Sequence, residues 1–459
     1  MRHSEQLPLS PAWISHRHAQ ELSVISSILD NIPELGCLVE QDLLQGLKVP
    51  KTGARGLSGD QVLRILVAKM LTGESYRDLE FRLNDSVTYR AFCRLDFAGL
   101  APSYQTLREN ISKIRPQTLE VLNQCIVKRA LELKPGMASK VMLDTTVAEV
   151  NIHAPTDSSL LFDAVRILSR LLKKTEELVG FKDYSNHTKV AKRRLLRIQS
   201  AKPKETQVRE TAYRELLTVT EEMVSYSELA LVTLLCLQDT MQDDVRNSRG
   251  YMRFTKLITQ LTHFIALATR VISQTERRVF HNETVPATEK VVSLVEPHAD
   301  VIRKDNRNTL YGHKVAVSTT SSGLVLDVAI SKGNPADATL ALPIAHRLKH
   351  HYGLIPDAIT MDGAFASKNN LESLKSLGIN NVCFAKKRGI DVLDMVTNNQ
   401  MYRTLRNLRA GVESIISRLK RVFWLVRYMW KGDAGYISYI HGGVLAANLL
   451  IMAQTILRQ

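Results

Sequence analysis

The chain is expected to be an α/β protein: an all-α N-terminal region, then a mixed sheet of strands and helices interrupted by a large helical insertion. Three observations point there. Residues 57–83, LSGDQVLRILVAKMLTGESYRDLEFRL, place apolar side chains at helical spacing between Ser and Gly end signals. Residues 140–152, KVMLDTTVAEVNI, and 312–319, GHKVAVST, are rich in β-branched and apolar residues and read as strands. Between them, residues 155–280 read as mainly helical.

Taken in order, residues 1–30 read as loosely structured around Pro8 and Pro11, then helical from about His18. Ser58 caps a helix carrying Val62, Ile65, Leu66 and Met70, and Gly73 ends it. Ser75 opens a helix with Leu79, Phe81 and Leu83. A third helix follows Ser103 through Leu107, Ile111 and Ile114 to about Leu133. Short turns between short helices suit a helix-turn-helix-like module; a plain bundle serving dimerisation fits as well. The texture changes at Lys134-Pro135-Gly136, where strand 140–152 begins. Beyond the helical stretch, Lys290–Val295 is a short strand candidate. Gly312–Thr319, the turn Ser321-Ser322-Gly323 and Leu324–Ile330 form a hairpin. Asp337 caps a helix to about His351. Ala358–Met361, a helix from Ser367 to about Leu377, and Asn381–Ala385 form a strand–helix–strand unit, which implies a parallel pair. Arg403 to Lys431 reads as one long helix and 436–457 as a buried terminal helix, because His441, Gly442, Gly443, Asn448 and Gln454 interrupt its apolar run.

The 459 residues carry 61 Lys+Arg against 46 Asp+Glu, a net charge of +15. That excess points to a polyanion partner such as nucleic acid. Five scattered cysteines, with no CxxC pair, fit a reducing cytoplasm and exclude a zinc-finger pattern. The first residues lack the apolar run of a signal peptide. Within 182–209 there are nine Lys/Arg and two acids, and Lys192, Arg193, Arg194 and Arg197 are candidate phosphate contacts. Residues 215–244 carry seven acids and no Lys or Arg, so the two blocks can equally pack on each other.

Chemistry gathers on three carboxylates. Residues 401–432 hold eight Lys/Arg and one acid, Glu413. On a helix Arg409, Glu413 and Lys420 return to nearly one face. A solvated salt-bridge face is the ordinary explanation. A lone carboxylate on a phosphate-binding surface otherwise needs a divalent cation between itself and the phosphate. Mg²⁺ is typically held by one or two carboxylates, and two ions clamp the attacking and leaving oxygens of a phosphoryl displacement. Asp144, inside a strand, is costly unless paired or metal-bound. Asp362 lies at the carboxyl end of a parallel strand, where ligands of open α/β sheets gather, although Asp-Gly is also a common turn pair.

In this order the motifs resemble the DDE transposases of bacterial insertion sequences. Asp144-Thr145-Thr146 looks like the first DDE aspartate. Tyr311-Gly312-His313-Lys314-Val315 resembles the family's YGYKV strand, and Gly333-Asn334-Pro335-Ala336-Asp337 its GN-x-x-D loop. Met361-Asp362-Gly363-Ala364-Phe365 looks like the second aspartate. Arg409-x3-Glu413-x6-Lys420 matches the R-x3-E-x6-K around the third acid, with Arg406 where the family has Tyr. Ser75-Tyr76-Arg77-Asp78-Leu79 matches its SYRDL. The insertion at about 155–285 is similar to a branch long kept among unclassified insertion sequences.

The resemblance implies an RNase H-like catalytic domain at 136–459, interrupted by the insertion, after a helical end-binding or dimerisation domain at 1–135. It implies Asp144, Asp362 and Glu413 as catalytic acids holding two Mg²⁺ or Mn²⁺ ions. Arg406, Arg409, Lys420 and Lys314 would contact DNA, with the four cations of 182–209. The implied activity is nicking at terminal inverted repeats followed by attack of the 3′-hydroxyl on target DNA. The implied partners are double-stranded DNA and further copies of the chain, in a homodimer or higher oligomer, with no membrane. The implied location is the bacterial cytoplasm, at the nucleoid. A structure-specific nuclease with the same acids, or a transposase-derived DNA-binding protein with a decayed site, would share much of this pattern. Flanking inverted repeats would separate them.

Overall fold

The structure, a computed structural model, describes residues 16–46, 56–96, 99–202, 204–240, 249–304, 308–423 and 425–458. The expectation built on Pro8 and Pro11, and the acids Asp243 and Asp244, lie outside the described residues. The chain divides into two compact units, Met1–Asn151 with Lys304–Gln459, and Ile152–Arg303.

Among its described residues the first unit opens with helices α1 (Arg17–Asp30), α2 (Glu34–Leu44), α3 (Gly59–Thr72), α4 (Tyr76–Asp85), α5 (Val87–Phe92), α6 (Tyr104–Lys113) and α7 (Pro116–Leu133). Ser58 and Gln61 form a reciprocal capping box on α3, and Ser75 caps α4, as their spacing predicts. Phe81, expected on the apolar face of α4, is exposed. The single helix expected from Ser103 to Leu133 is two. The chain turns extended at Ile114 and Arg115, and Pro116 restarts it at the first helical position, where its missing N–H costs nothing.

Strand β1 (Lys140–Glu149) follows. The second unit then supplies α8 (Asp157–Val179), α9 (Thr188–Ser200), α10 (Thr206–Thr240) and α11 (Arg249–Val279), with α8 packed on α9, α10 and α11. No strand forms at 290–295. Val291 and Leu294 are buried in this unit's own core. The Gln274 side chain satisfies the Val291 backbone, accepting from its N–H at 2.9 Å and donating to its carbonyl at 3.4 Å, so no ladder is needed. The strand of this region is β2 (Asp300–Lys304), at the boundary between the units.

Back in the first unit come β3 (Asn308–Thr320), β4 (Val325–Ser331), α12 (Ala341–Tyr352), β5 (Ala358–Met361), α13 (Lys368–Ser376), β6 (Asn381–Phe384), α14 (Val392–Met395), α15 (Asn399–Val422) and α16 (Gly432–Ile456). The strands of the first unit itself run β4-β3-β1-β5-β6. β4, β3 and β1 are antiparallel neighbours, while β1, β5 and β6 are parallel. The hairpin turns at Gly323, whose φ of +92° suits glycine. Gly312 is required differently: a Cβ there would sit 2.0 Å from the Ala148 carbonyl oxygen, so β1 and β3 meet closely only at glycine.

The long helix expected to reach Lys431 stops at Val422. Beyond it Val426, Arg427 and Tyr428 lie alongside the end of β1, with Arg427 bridged to Glu149. The Glu149 N–H donates to the Val426 carbonyl at 2.8 Å, and the Tyr428 N–H donates to the Glu149 carbonyl at 3.1 Å. A helix through these residues would forfeit both bonds.

Helix α16 is long and apolar enough to cross a membrane, yet 89% of its most apolar window is buried. It packs on α1, α3, α7 and β4. Its fully buried Asn448 accepts from the Val325 N–H and donates to the Val325 carbonyl, both at 2.9 Å, satisfying the start of β4. This is the buried terminal helix expected from its interrupting polar residues.

Candidate active site

Three acids come together from three elements. Asp144 is on β1, four residues beyond its opening Lys140, beside the parallel strand β5. Asp362 directly follows β5 and caps the short turn Gly363–Phe365, its carboxylate accepting from the Gly363 N–H at 2.7 Å. Glu413 stands on α15, which packs on β1, β5 and β6. That packing is fixed by Thr360 donating to the Leu405 carbonyl and Tyr402 donating to the Phe384 carbonyl.

The guanidinium of Arg409 joins them. Its Nη1 donates to Glu413 Oε1 at 3.1 Å, one turn along the same helix. Its Nη2 lies 3.5 Å from Asp144 Oδ2 and 3.6 Å from Asp362 Oδ1. The Arg409 side chain is 19% exposed, Asp144 14%, Asp362 38% and Glu413 66%, so the group is a cleft open on the Glu413 side. The buried Arg409 Nε has no hydrogen-bond partner among the described residues.

A fourth acid braces the first strand. Asp337 was expected to cap a long helix. It instead begins a short 3-10 turn, Asp337–Thr339, ahead of α12. Its carboxylate accepts from the Thr145 hydroxyl at 3.0 Å and from the Lys314 ammonium at 2.8 Å. Lys314 also donates to the Pro335 carbonyl at 2.7 Å. The Lys314 head is thus occupied by the 333–337 loop next to Asp144, and the loop and strand motifs meet there.

The other expected residues are spread wider. Arg406 is exposed on α15. Lys420, two turns past Glu413, lines a small cavity with Thr146 and Ala148 of β1 and Val315 of β3. Lys192 and Arg193 are exposed on α9. On the same helix Arg194 lies 2.7 Å and Arg197 3.9 Å from Glu215 of α10, so the basic and acidic blocks pack on each other at these two positions. His313 is buried, edge-on to Tyr436 with ring centroids 4.8 Å apart, and pairs in register with Ala148 rather than Asp144.

One basic loop was missed. Lys386, Lys387 and Arg388 follow β6 and are exposed, and a Cβ on Gly363 would lie 2.7 Å from Lys386 Cβ. The loop therefore runs behind Asp362. A basic triplet at the carboxyl end of a parallel strand was the available signal.

Two protein-family models match the chain: the Transposase DDE domain over residues 290–449 and the Transposase domain (DUF772) over residues 13–113. The first spans Asp362, Arg409 and Glu413 but not Asp144. No curated protein and no solved structure matches. The DDE domain implies an RNase H-like fold, in accord with the mixed sheet β4-β3-β1-β5-β6. With a DDE domain behind a DUF772 transposase domain, a pairing characteristic of insertion-sequence transposases, the chain belongs to that family.

Proposed function

We propose that the chain binds the terminal inverted repeats of its insertion sequence and catalyses metal-dependent strand cleavage and strand transfer there, with Asp144, Asp362 and Glu413 as the catalytic acids. The observation that supports this is the convergence of the three carboxylates on the single guanidinium of Arg409. Carboxylates so close repel one another unless a cation lies among them, and one guanidinium neutralises only one of three. Their oxygens are the donors that hard divalent ions take, so the residues fit Mg²⁺ or Mn²⁺, two ions in this reading. Bound there, the ions would activate the attacking oxygen and stabilise the leaving one.

The chain's own residues do the positioning. β1 and β5, paired in parallel, hold Asp144 and Asp362 at adjacent strand positions, and the pitch of α15 brings Glu413 toward them. Asp337, through Thr145, steadies the strand that carries Asp144. Arg409, Arg406 and Lys420 supply the cationic side of α15 for DNA phosphates, and Lys192 and Arg193 add charge from α9. The helices of 1–135 serve end recognition and dimerisation ahead of a catalytic domain at 136–459 that carries the insertion. The working assembly is a homodimer or higher oligomer on double-stranded DNA in the cytoplasm, at the nucleoid.

The test uses the full chain with a duplex carrying the element's end. Nicking is expected in Mg²⁺ or Mn²⁺ and not in EDTA, followed by joining of the 3′ end to a target plasmid. Nicking that persists in chelator overturns the metal assignment. Nicking never followed by joining favours a structure-specific nuclease.

A further inference from the structure

Away from the carboxylates, the first unit contains a recess of about 640 Å³. One wall comes from the N-terminal helices, with Tyr76 at the start of α4 and Arg108 and Lys113 on α6. The opposite wall is the segment after α15, with Met429, Trp430 and Lys431. Arg115 also borders it, but its guanidinium is taken by the buried carboxylate of Asp42. Among the described residues no acid lines the recess. Arg108, Lys113 and Lys431 are exposed, and no ion pair neutralises them among the described residues.

The apolar side is as distinctive. Met429 is 67% exposed, and its sulfur accepts from the Asn151 amide at 3.7 Å. The Trp430 indole stands edge-on to Tyr439 with centroids 5.5 Å apart, and its N–H has no acceptor among the described residues. Cations from both walls, Arg108 and Lys113 on one and Lys431 on the other, beside the thioether and indole of Met429 and Trp430, match the two parts of a nucleotide: phosphate for the cations, sugar and base for the apolar surface. The volume lies within the roughly 300–1,000 Å³ of small-molecule sites, so a nucleotide unit fits. The Met429–Lys431 wall is also the direct chain continuation of α15, the helix that carries Glu413.

We propose that this recess is a nucleotide-binding site for a strand of the transposon end, with Arg108, Lys113 and Lys431 on backbone phosphate and Met429 and Trp430 against sugar or base. The proposal rests on the reading that the chain binds its element's ends. It adds a specific seat for one strand, built jointly by the N-terminal helices and the segment that follows the catalytic helix.

The experiment compares the parent with the triple variant Arg108→Glu/Lys113→Glu/Lys431→Glu in EDTA, where binding is read without cleavage. The three positions are exposed, so melting temperature should hold within a few degrees. Binding of the end duplex is expected to weaken at least tenfold, and the slope of log affinity against log salt to fall by up to about 3, close to one per phosphate contact. Met429→Ala should weaken binding a few-fold with the slope unchanged, as an uncharged contact requires. A folded triple variant with parental affinity and slope overturns the proposal while leaving the proposed function standing. A parent that binds no end duplex overturns both. A third arm titrates dAMP. A triple variant that loses dAMP yet holds the duplex like the parent assigns the recess to free nucleotides and overturns the DNA seat.

Discussion

Arg409 donates to Glu413 at 3.1 Å across one turn of α15, and its other terminal nitrogen faces Asp144 and Asp362. The same side chain is therefore counter-ion to all three acids, and whatever enters the cleft must share or replace it.

Glu413→Gln separates binding from chemistry. The change removes one negative charge from a surface facing phosphate, so end binding should be equal or slightly tighter. Loss of the third carboxylate should cost several kcal/mol of transition-state stabilisation, and at about 1.36 kcal/mol per tenfold the nicking rate drops a hundredfold or more. Gel-shift binding and single-turnover nicking, measured on one preparation, check it. Near-parental nicking would remove Glu413 from the site.

Arg409→Ala tests the counter-ion itself. Without the guanidinium the acids repel, so the metal-free variant should melt below the parent. Added Mn²⁺ should then raise its melting temperature by more than it raises the parent's, because no protein cation competes. End binding should weaken as well. A Mn²⁺ response equal to the parent's would show that Arg409 does not occupy the cation position.

On α9 the four cations should split in two. Lys192→Gln/Arg193→Gln should flatten the salt dependence of DNA binding by up to about 2 in log–log slope, with stability unchanged. Arg194→Gln/Arg197→Gln strands Glu215, and should cost on the order of 1 kcal/mol in urea unfolding, the upper range for a partly exposed pair. Equal slopes for both pairs would contradict the division.

His441 gives the fold a pH dependence. Burial in α16 holds its imidazole below the usual 6.5; Glu120 and Asp327 pull it up, and Arg347 pushes it down. The unfolded ring takes its proton near 6.5, and the buried ring only at lower pH. Below about 6.5 the unfolded state binds more protons, so stability is full above that pH and falls as pH drops toward the folded value, by at most about 1.36 kcal/mol per unit. Urea unfolding of parent and His441→Gln from pH 8 to 5 checks it. The variant should lose part of this slope, and identical slopes would rule out His441 as its source.

The placement of the candidate acids was legible because their carriers obey local rules. An acid inside a β-branched run put Asp144 on β1, and a four-residue apolar strand ending in Asp-Gly put Asp362 at the carboxyl end of β5. Helical spacing alone set Arg409 one turn before Glu413. Ser58 and Ser75 announced α3 and α4 because a cap needs only the next three residues. The tertiary structure decided which groups answer one another across long separations. Lys314 went to Asp337 instead of standing free, Gln274 replaced a strand partner for Val291, and Glu149 drew residues 426–428 out of the helix their composition favours. Propensity and capping act over a few residues. The partner of a buried backbone group or charge is chosen by what the fold brings within about 3 Å of it, and no window of sequence contains that choice.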